Sequence, residues 1–553
     1  MQVKKGEKAV EKLKNTGSTE LTRREMLKLS GAAAGGLAVG GAMVGPQVGS
    51  AAAAHTGEGD ACICPEGPTC RWDHPVKSER YVYFDQLPPF YPFSGETSST
   101  IPKLGEDEMR ITFMGSSIPG NLRKKQQMMS IFVEVGWDPY RQMPLDQFIF
   151  DCGSGVCTNY NAMNVGFGRM NKVFLNHLHG DHMSDLTHIY CFGPSADRLS
   201  PLYVWGPGNS GMESPPGSGK YYDDGVKTFC EHLRAACRWH TESFSFQQTR
   251  YTPYDPPDPK LLPQNWGLPC DPIPVGDDPP NDAYAMIPIE LDWEKHGEVE
   301  GDNIAYHNQH TGVKITHFPV IHARRGSMGY KLEWTPPGHP DRTLSMIYSS
   351  DTKPEYHCIE QAKNGDQGVD VFIHEMIVPA QVWAMKATHL SELPPLDNRI
   401  VQQIQMVQNS SHTPQGAFGY LLSQIEPRPR LTVATHFPVS DDTVECAMKS
   451  VMQHCSVVQG RDPKPKEDAA RITWSFDLMV ITVSKDQILE QRGVVSDFEY
   501  NSMPQPVPGT RNIPAKYSYP NGVGNPYAQI DETMAVPTCD PETGECNYRP
   551  DGY

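Results

Sequence analysis

Between Lys172 and His182 the chain reads K-V-F-L-N-H-L-H-G-D-H, placing His177, His179, Asp181 and His182 within six residues, directly after an apolar run. Val173, Phe174 and Leu175 predict a short buried strand. Past its end His177 and His179 fall on one side of an extended backbone. Gly180 permits a tight turn without a Cβ penalty. Asp181 and His182 follow at a predicted helix start, aimed back at the volume the first pair faces. Two imidazoles cannot complete a tetrahedral shell, so each half of the motif must recruit ligands from elsewhere. The expectation is two metals sharing one cleft. A run of surface histidines with an incidental Asp is the bland alternative, and this spacing disfavours it.

The motif resembles the H-x-H-x-D-H signature of the metallo-β-lactamase superfamily. The resemblance implies a third His for the first metal, an Asp bridging both metals and a last His for the second. His322, in the segment Ile321 to Leu332, is similar to the family's strand-end His ahead of a G-Y strand. His317 competes for that role, but it lies in the apolar alternation Val313 to Val320 and reads as a strand residue. Asp351, after Met346-Ile347-Tyr348-Ser349-Ser350, resembles the bridging carboxylate. His436, ending Leu431-Thr432-Val433-Ala434-Thr435, resembles the last ligand. The implied metal set is His177, His179, Asp181, His182, His322, Asp351 and His436.

Met114-Gly115-Ser116-Ser117 and Phe150-Asp151-Cys152-Gly153-Ser154-Gly155, each after a predicted strand, are similar to the opening elements of the ribonuclease Z and arylsulfatase-like branch. Phe372-Ile373-His374-Glu375 and Ser410-Ser411-His412-Thr413 resemble two further elements of that branch. The resemblance spans roughly residues 108 to 440 and implies an α/β fold, a four-layer αββα sandwich with the metals at one edge. A further likeness is to exported metallo-hydrolases associated with guanitoxin biosynthesis.

The chemistry follows from physical need. A water bound to metal has its pKa lowered from about 15.7 toward 7, giving a hydroxide nucleophile at neutral pH, shared here by two metals. Asp181 can orient it and accept its proton. His412 is the candidate general acid for the leaving group, with Glu375 holding its tautomer. A polar capping cluster ahead of Pro414 is the alternative for His412. His374 reads as structural or as support for the site. Zinc is the first expectation for the two divalent ions, with iron or manganese open.

Thr22-Arg23-Arg24-Glu25-Met26-Leu27-Lys28 matches the twin-arginine export pattern. A weakly apolar, Gly/Ala-rich run and an Ala-rich cleavage-like segment at 51–54 follow it. The run is short and Gly-rich for a bilayer span. A periplasmic or extracellular bacterial location is expected, with the twin-arginine translocation machinery as a partner. The 14 cysteines include close pairs Cys152/Cys157, Cys230/Cys237, Cys446/Cys455 and Cys539/Cys546 that an oxidising compartment could join. Cys62, Cys64 and Cys70 lack a clean C-x-x-C partner for a zinc knot.

The expected organisation is a signal peptide at 1–54, a Cys-containing extension at 55–107, a catalytic domain at 108–500 and an irregular Pro/Gly/Tyr-rich tail at 501–553. The largest insertion, about 190–312, carries an amphipathic helical run from Asp223 to Trp239. A stretch with ten prolines from Pro253 to Pro280 forbids regular structure there. It reads as a substrate-shaping lid or an oligomer contact. A helix near Asp442 to Gln453 and a strand-like run from Ile472 to Val483 should close the sheet.

The formal net charge of −18 argues against a polynucleotide ligand, because phosphate backbones are bound through Lys and Arg. Small esters remain as substrates: a sulfate ester, a phosphodiester or phosphotriester, or a lactone. Arg324 and Arg325, after His322, either meet an anion in the cleft or face solvent. Two other classes compete. An iron-dependent redox protein of the same fold would replace His179 with Glu in the di-iron flavoprotein pattern. A binding protein would have no need of the full donor set.

Overall fold

The computed structural model describes residues 104–119, 125–140, 143–198, 201–243, 248–249, 284–438, 443–456, 472–493, 511–512, 538–539 and 546–547. The expected export segment, Cys62, Cys64, Cys70, the stretch from Pro253 to Pro280 and most of the tail lie outside the described residues. Among the described residues no helix is long and apolar enough to cross a membrane.

Two mixed sheets face each other. The first contains β1 (Met109–Gly115), β2 (Ser130–Asp138), β3 (Met143–Phe150), β4 (Lys172–Phe174), β5 (Leu202–Pro207), β7 (Met286–Leu291), β15 (Met479–Val483) and β16 (Ile488–Arg492), in the order β16-β15-β1-β2-β3-β4-β5-β7. The second contains β8 (Ile304–Asn308), β9 (Val313–Pro319), β10 (Met328–Trp334), β11 (Leu344–Tyr348), β12 (Val371–Glu375), β13 (Leu431–Thr435) and β14 (Ile472–Trp474), in the order β14-β13-β12-β11-β10-β9-β8. β6 (Gln248–Thr249) pairs with β17 (Arg511–Asn512), and β18 (Thr538–Cys539) with β19 (Cys546–Asn547).

Alternation assigns each strand residue to a layer. Ile111, Val133, Phe150, Trp205 and Ile289 of the first sheet meet Ile315, Leu332, Met346, Ile373 and Val433 of the second in one buried core. The opposite face of the first sheet is covered by α1 (Val156–Ala162), α3 (Leu186–Phe192) and α4 (Val226–Ala236), which bury Tyr160, Ile189 and Val226. The opposite face of the second packs on α6 (Tyr356–Lys363), α9 (Gln415–Ser423) and α10 (Thr443–Ser456) through Cys358, Phe418 and Met448. The molecule is therefore the αββα sandwich that the resemblance implied. Phe174 stacks on Trp205 at 4.4 Å and meets Tyr330 edge-on at 5.5 Å, so aromatic contacts tie the strand carrying the histidine motif to the facing sheet.

Several expectations are revised. Ile472 to Val483 is two strands: β14 ends the second sheet, and β15 begins in the first after Leu478 turns the chain with φ 66°. Between Asp185 and Val313 the chain supplies β5, β7 and β8 to the sheets. The helical run from Asp223 breaks at Cys237 into α4 and α5 (Arg238–Ser243). Cys152, Cys157 and Cys237 are free thiols, so the pairings Cys152/Cys157 and Cys230/Cys237 do not form. Their neighbours explain this: Cys157 bonds Asp185, and Cys237 lies against Cys191. The β18/β19 register sets position 539 opposite 546.

Candidate metal centre

Every donor stands just past a strand end on one edge of the sandwich. β4 leads into His177 and His179, and the single-turn α2 (Gly180–Met183) carries Asp181 and His182. The backbone pins that turn: Met129 N–H donates to the Asp181 carbonyl at 3.1 Å, and Cys152 N–H to the His182 carbonyl at 2.6 Å. Gly153 allows this approach, since a Cβ there would lie 2.0 Å from the Asp181 carbonyl oxygen. His322 follows β9, Asp351 follows β11 and His436 follows β13. Asp151, Ser350 and His436 hold φ of 57°, 56° and 63°. Such left-handed residues cost of order 1–3 kcal/mol each and persist where the surroundings enforce them.

The seven donors converge in two groups. His177, His179 and His322 bring ring nitrogens within 4.8 Å of one another, as do Asp181, His182, Asp351 and His436 with one atom each. Asp351 spans both: Oδ1 lies 3.3 Å from His182 Nε2 and 3.4 Å from His436 Nε2, while Oδ2 lies 3.8 Å from His322 Nε2. Asp181 Oδ2 is 3.2 Å from His182 Nε2 and 3.3 Å from His436 Nε2.

Two observations test whether divalent cations fit. Buried His177 has no hydrogen-bond partner at either ring nitrogen, a costly arrangement unless a ligand uses a lone pair. Other rings are oriented from behind. His322 Nδ1–H donates to the Ser411 carbonyl at 2.9 Å, and His182 Nδ1 lies 2.7 Å from Asp151 Oδ2. This leaves each Nε2 facing inward, the arrangement that supports metal-bound imidazoles. The donor set fits a binuclear metal site.

The electrostatics agree. Burial holds the pKa values of His177, His179 and His322 below the usual imidazole value, which favours the neutral rings a metal requires, and His322 Nε2 lies 3.1 Å from His179 Nδ1. Burial opposes charge at His436 too, yet Asp351, Asp181 and Glu375 raise it to about 10; His182 is raised by Asp181, Asp351 and Asp151. Burial likewise works against the Asp181 and Asp351 carboxylates, but the imidazoles hold both below the ordinary range. Cations entering this anionic edge would displace those protons.

Glu375 is fully buried at the end of β12, accepting the Thr352 N–H and approached by His412 Nδ1 at 2.9 Å. His412 ends α8 (Arg399–Ser411), and its ring lies 5.1 Å from that of His322 and 5.8 Å from that of His436. It is thus the C-cap of the preceding helix; Pro414, at the N-cap of α9, replaces the expected first-turn position. Burial disfavours the charged ring, but Glu375 carries its pKa above the usual value. His374 points away, stacked on Phe418 at 5.0 Å with Nδ1 at the Glu375 carbonyl. His317 is a buried strand residue of β9 whose pKa burial lowers to about 4, apart from both donor groups.

Sequence reasoning missed Asp151 as a site residue. Besides His182, it accepts the Tyr348 hydroxyl at 2.8 Å and the Asn176 N–H at 3.0 Å. Its signal was an Asp directly after the β3 run, inside a segment already singled out. Arg324 was read two ways. It forms an ion pair with Asp224 and lies over the Tyr222 ring at 5.1 Å.

No family model matches the chain. It is 37% identical over 62 residues to the ribonuclease Z of Treponema denticola, 37% over 62 to the ribonuclease BN of Citrobacter koseri and 39% over 62 to that of Salmonella paratyphi B. Each match covers 11% of this chain and 20% of the relative, so the chain spans about a fifth of the length of the curated relatives it matches. Among solved structures it is similar to the metallo-β-lactamase fold protein YhfI of Bacillus subtilis (TM-score 0.38, 12% identity, 68% of this chain and 100% of that one). It is also similar to the short form of human tRNase Z (TM-score 0.36, 16% identity, 67% and 98%).

Proposed function

We propose that this protein is a binuclear metal-dependent hydrolase of the metallo-β-lactamase superfamily, acting on an ester bond of a small molecule. The observation that carries this reading is the meeting of seven donors from four separate chain segments beside a His412–Glu375 pair. Two divalent cations, zinc in the first instance, held by His177, His179 and His322 and by Asp181, His182, Asp351 and His436, would supply Lewis acidity and acidify a water toward neutral pKa. Asp181, held ionised by its imidazole neighbours against its burial, would orient an attacking water and take its proton. Glu375 fixes the His412 Nδ1–H, leaving Nε2 to protonate the departing oxygen.

The ribonuclease Z and arylsulfatase-like branch, twin-arginine export to the periplasm or beyond, and action without nucleic acid belong to the same proposal. The last rests on the net charge of −18, which repels a phosphate backbone. The test is metal analysis of the purified chain alongside assays of an aryl sulfate, a bis-aryl phosphate, a lactone and a precursor transfer RNA. Two metals per chain with turnover of a small ester and none of the RNA is the expected result. Iron alone with oxygen uptake and no ester turnover would replace this reading with the redox one.

A further inference from the structure

Beside His177 and His179 the surface opens into a cleft of about 430 Å³, within the range of small-molecule sites. One wall comes from the end of β5, the segment leading into α4 and the first turns of α4, including Ser210, Asp224 and Phe229; the other comes from Arg324 to Ser327. The wall is built. Asp224 accepts the Ser210 N–H and hydroxyl, both at 2.8 Å, and holds the Arg324 guanidinium, which lies on Tyr222. Asn209 Oδ1 accepts the N–H groups of Asp224 at 2.9 Å and Gly225 at 2.7 Å. Among the described residues Arg325, also lining the cleft, has no ion-pair partner. None of His412, Glu375 and His436 lines it.

We infer that this cleft binds the substituent the substrate keeps, and that the Arg324–Asp224–Tyr222 assembly with Arg325 determines which substituent is accepted. The inference rests on the hydrolase reading above. If His412 protonates the leaving oxygen, the expelled group departs outside the cleft, and whatever reaches past His177 and His179 is retained. A sulfate monoester has only its leaving group and nothing to place there. The lining sets carboxylates, guanidinium groups, hydroxyls and imidazole beside Leu178, Pro207 and Phe229, so it suits a group with both a hydrogen-bonding and an apolar face. The substrate is therefore an ester with two substituents, the retained one compact and amphipathic.

Three probes with one leaving group isolate this effect: thymidine 5′-(p-nitrophenyl phosphate), methyl p-nitrophenyl phosphate and p-nitrophenyl sulfate. The thymidine ester should exceed the methyl ester in kcat/KM by roughly tenfold or more, about what one well-made hydrogen bond or stacked ring supplies. The sulfate should be slowest. In Tyr222→Ala and Arg325→Ala, each still carrying two metals per chain, the thymidine-to-methyl ratio should fall toward one. Equal kcat/KM for the two phosphates, or a ratio unmoved by both substitutions, overturns the cleft assignment and leaves the hydrolase intact. A sulfate turned over as fast as the thymidine ester does the same. No turnover of any ester with two metals bound removes the hydrolase reading, and this inference with it.

Discussion

A histidine whose Nδ1–H is held by a buried carboxylate can offer only Nε2 to a substrate, and Glu375 holds His412 in this way. His412→Gln should lower kcat by about 10²–10⁴-fold, the span of general acid catalysis, while metal content stays at two per chain. Loss of metal with the activity would assign the ring a structural role. The raised His412 pKa sets the direction of pH dependence. The acid form is present below that pKa and lost above it, so activity should fall on the alkaline side. In Glu375→Gln that limb should move to lower pH, and a pH–rate profile with an unmoved limb would count against the pairing. Asp477, outside both donor groups, is a second titrating residue. It accepts the Ser116 hydroxyl at 2.9 Å and the Gln127 N–H at 2.6 Å, yet burial raises its pKa to about 7. Its folded pKa lies above the unfolded value near 3.8, so the stability it contributes is present at low pH and is lost as pH rises through about 7. Between pH 4 and 7 the melting temperature of Asp477→Asn should therefore gain on that of the parent, and a gap independent of pH would refute this.

At the scale of elements, what places the donors is how the strand ends are tied. The turn α2 is tied by residues flanking two strands, Met129 just before β2 and Cys152 just after β3, whose N–H groups donate to the Asp181 and His182 carbonyls. Gly153 is where this packing is tightest. A methyl there collides with the Asp181 carbonyl, so Gly153→Ala should cost about 1–3 kcal/mol or more and weaken binding of one metal, read as a stoichiometry falling from two toward one. The strand-then-histidine and strand-then-aspartate units were legible beforehand, because an apolar run and the polar residue closing it are adjacent in the chain. The division of Ile472 to Val483 was not. Two buried strands share one alternation, and what separates β14 from β15 is a left-handed Leu478 that only the change of sheet requires.

For the whole molecule, the donors join the edges of both sheets: His177 to His182 come from the first, and His322, Asp351 and His436 from the second. Bound cations would cross-link the halves of the sandwich. A ligand that binds only the folded state stabilises it by about 4 kcal/mol when free metal exceeds Kd a thousandfold. Chelation should therefore lower the melting temperature and added zinc restore it; an identical melt with and without chelator would mean the edge holds no metal in solution. The cluster from His177 to His182 could be read from the chain itself, because a ligand's chemistry and its neighbouring strand are local properties, and the resemblance extended it to His322, Asp351 and His436. Only the folded sandwich decided which groups orient those ligands, and which walls stand beside them. Asp151 behind His182, the Ser411 carbonyl behind His322, and Asp224 clasping Arg324 are pairings between residues 31, 89 and 100 positions apart. Hydrogen bonds act over a few ångströms of space, and the distance in space between such residues is set by the packing of the two sheets.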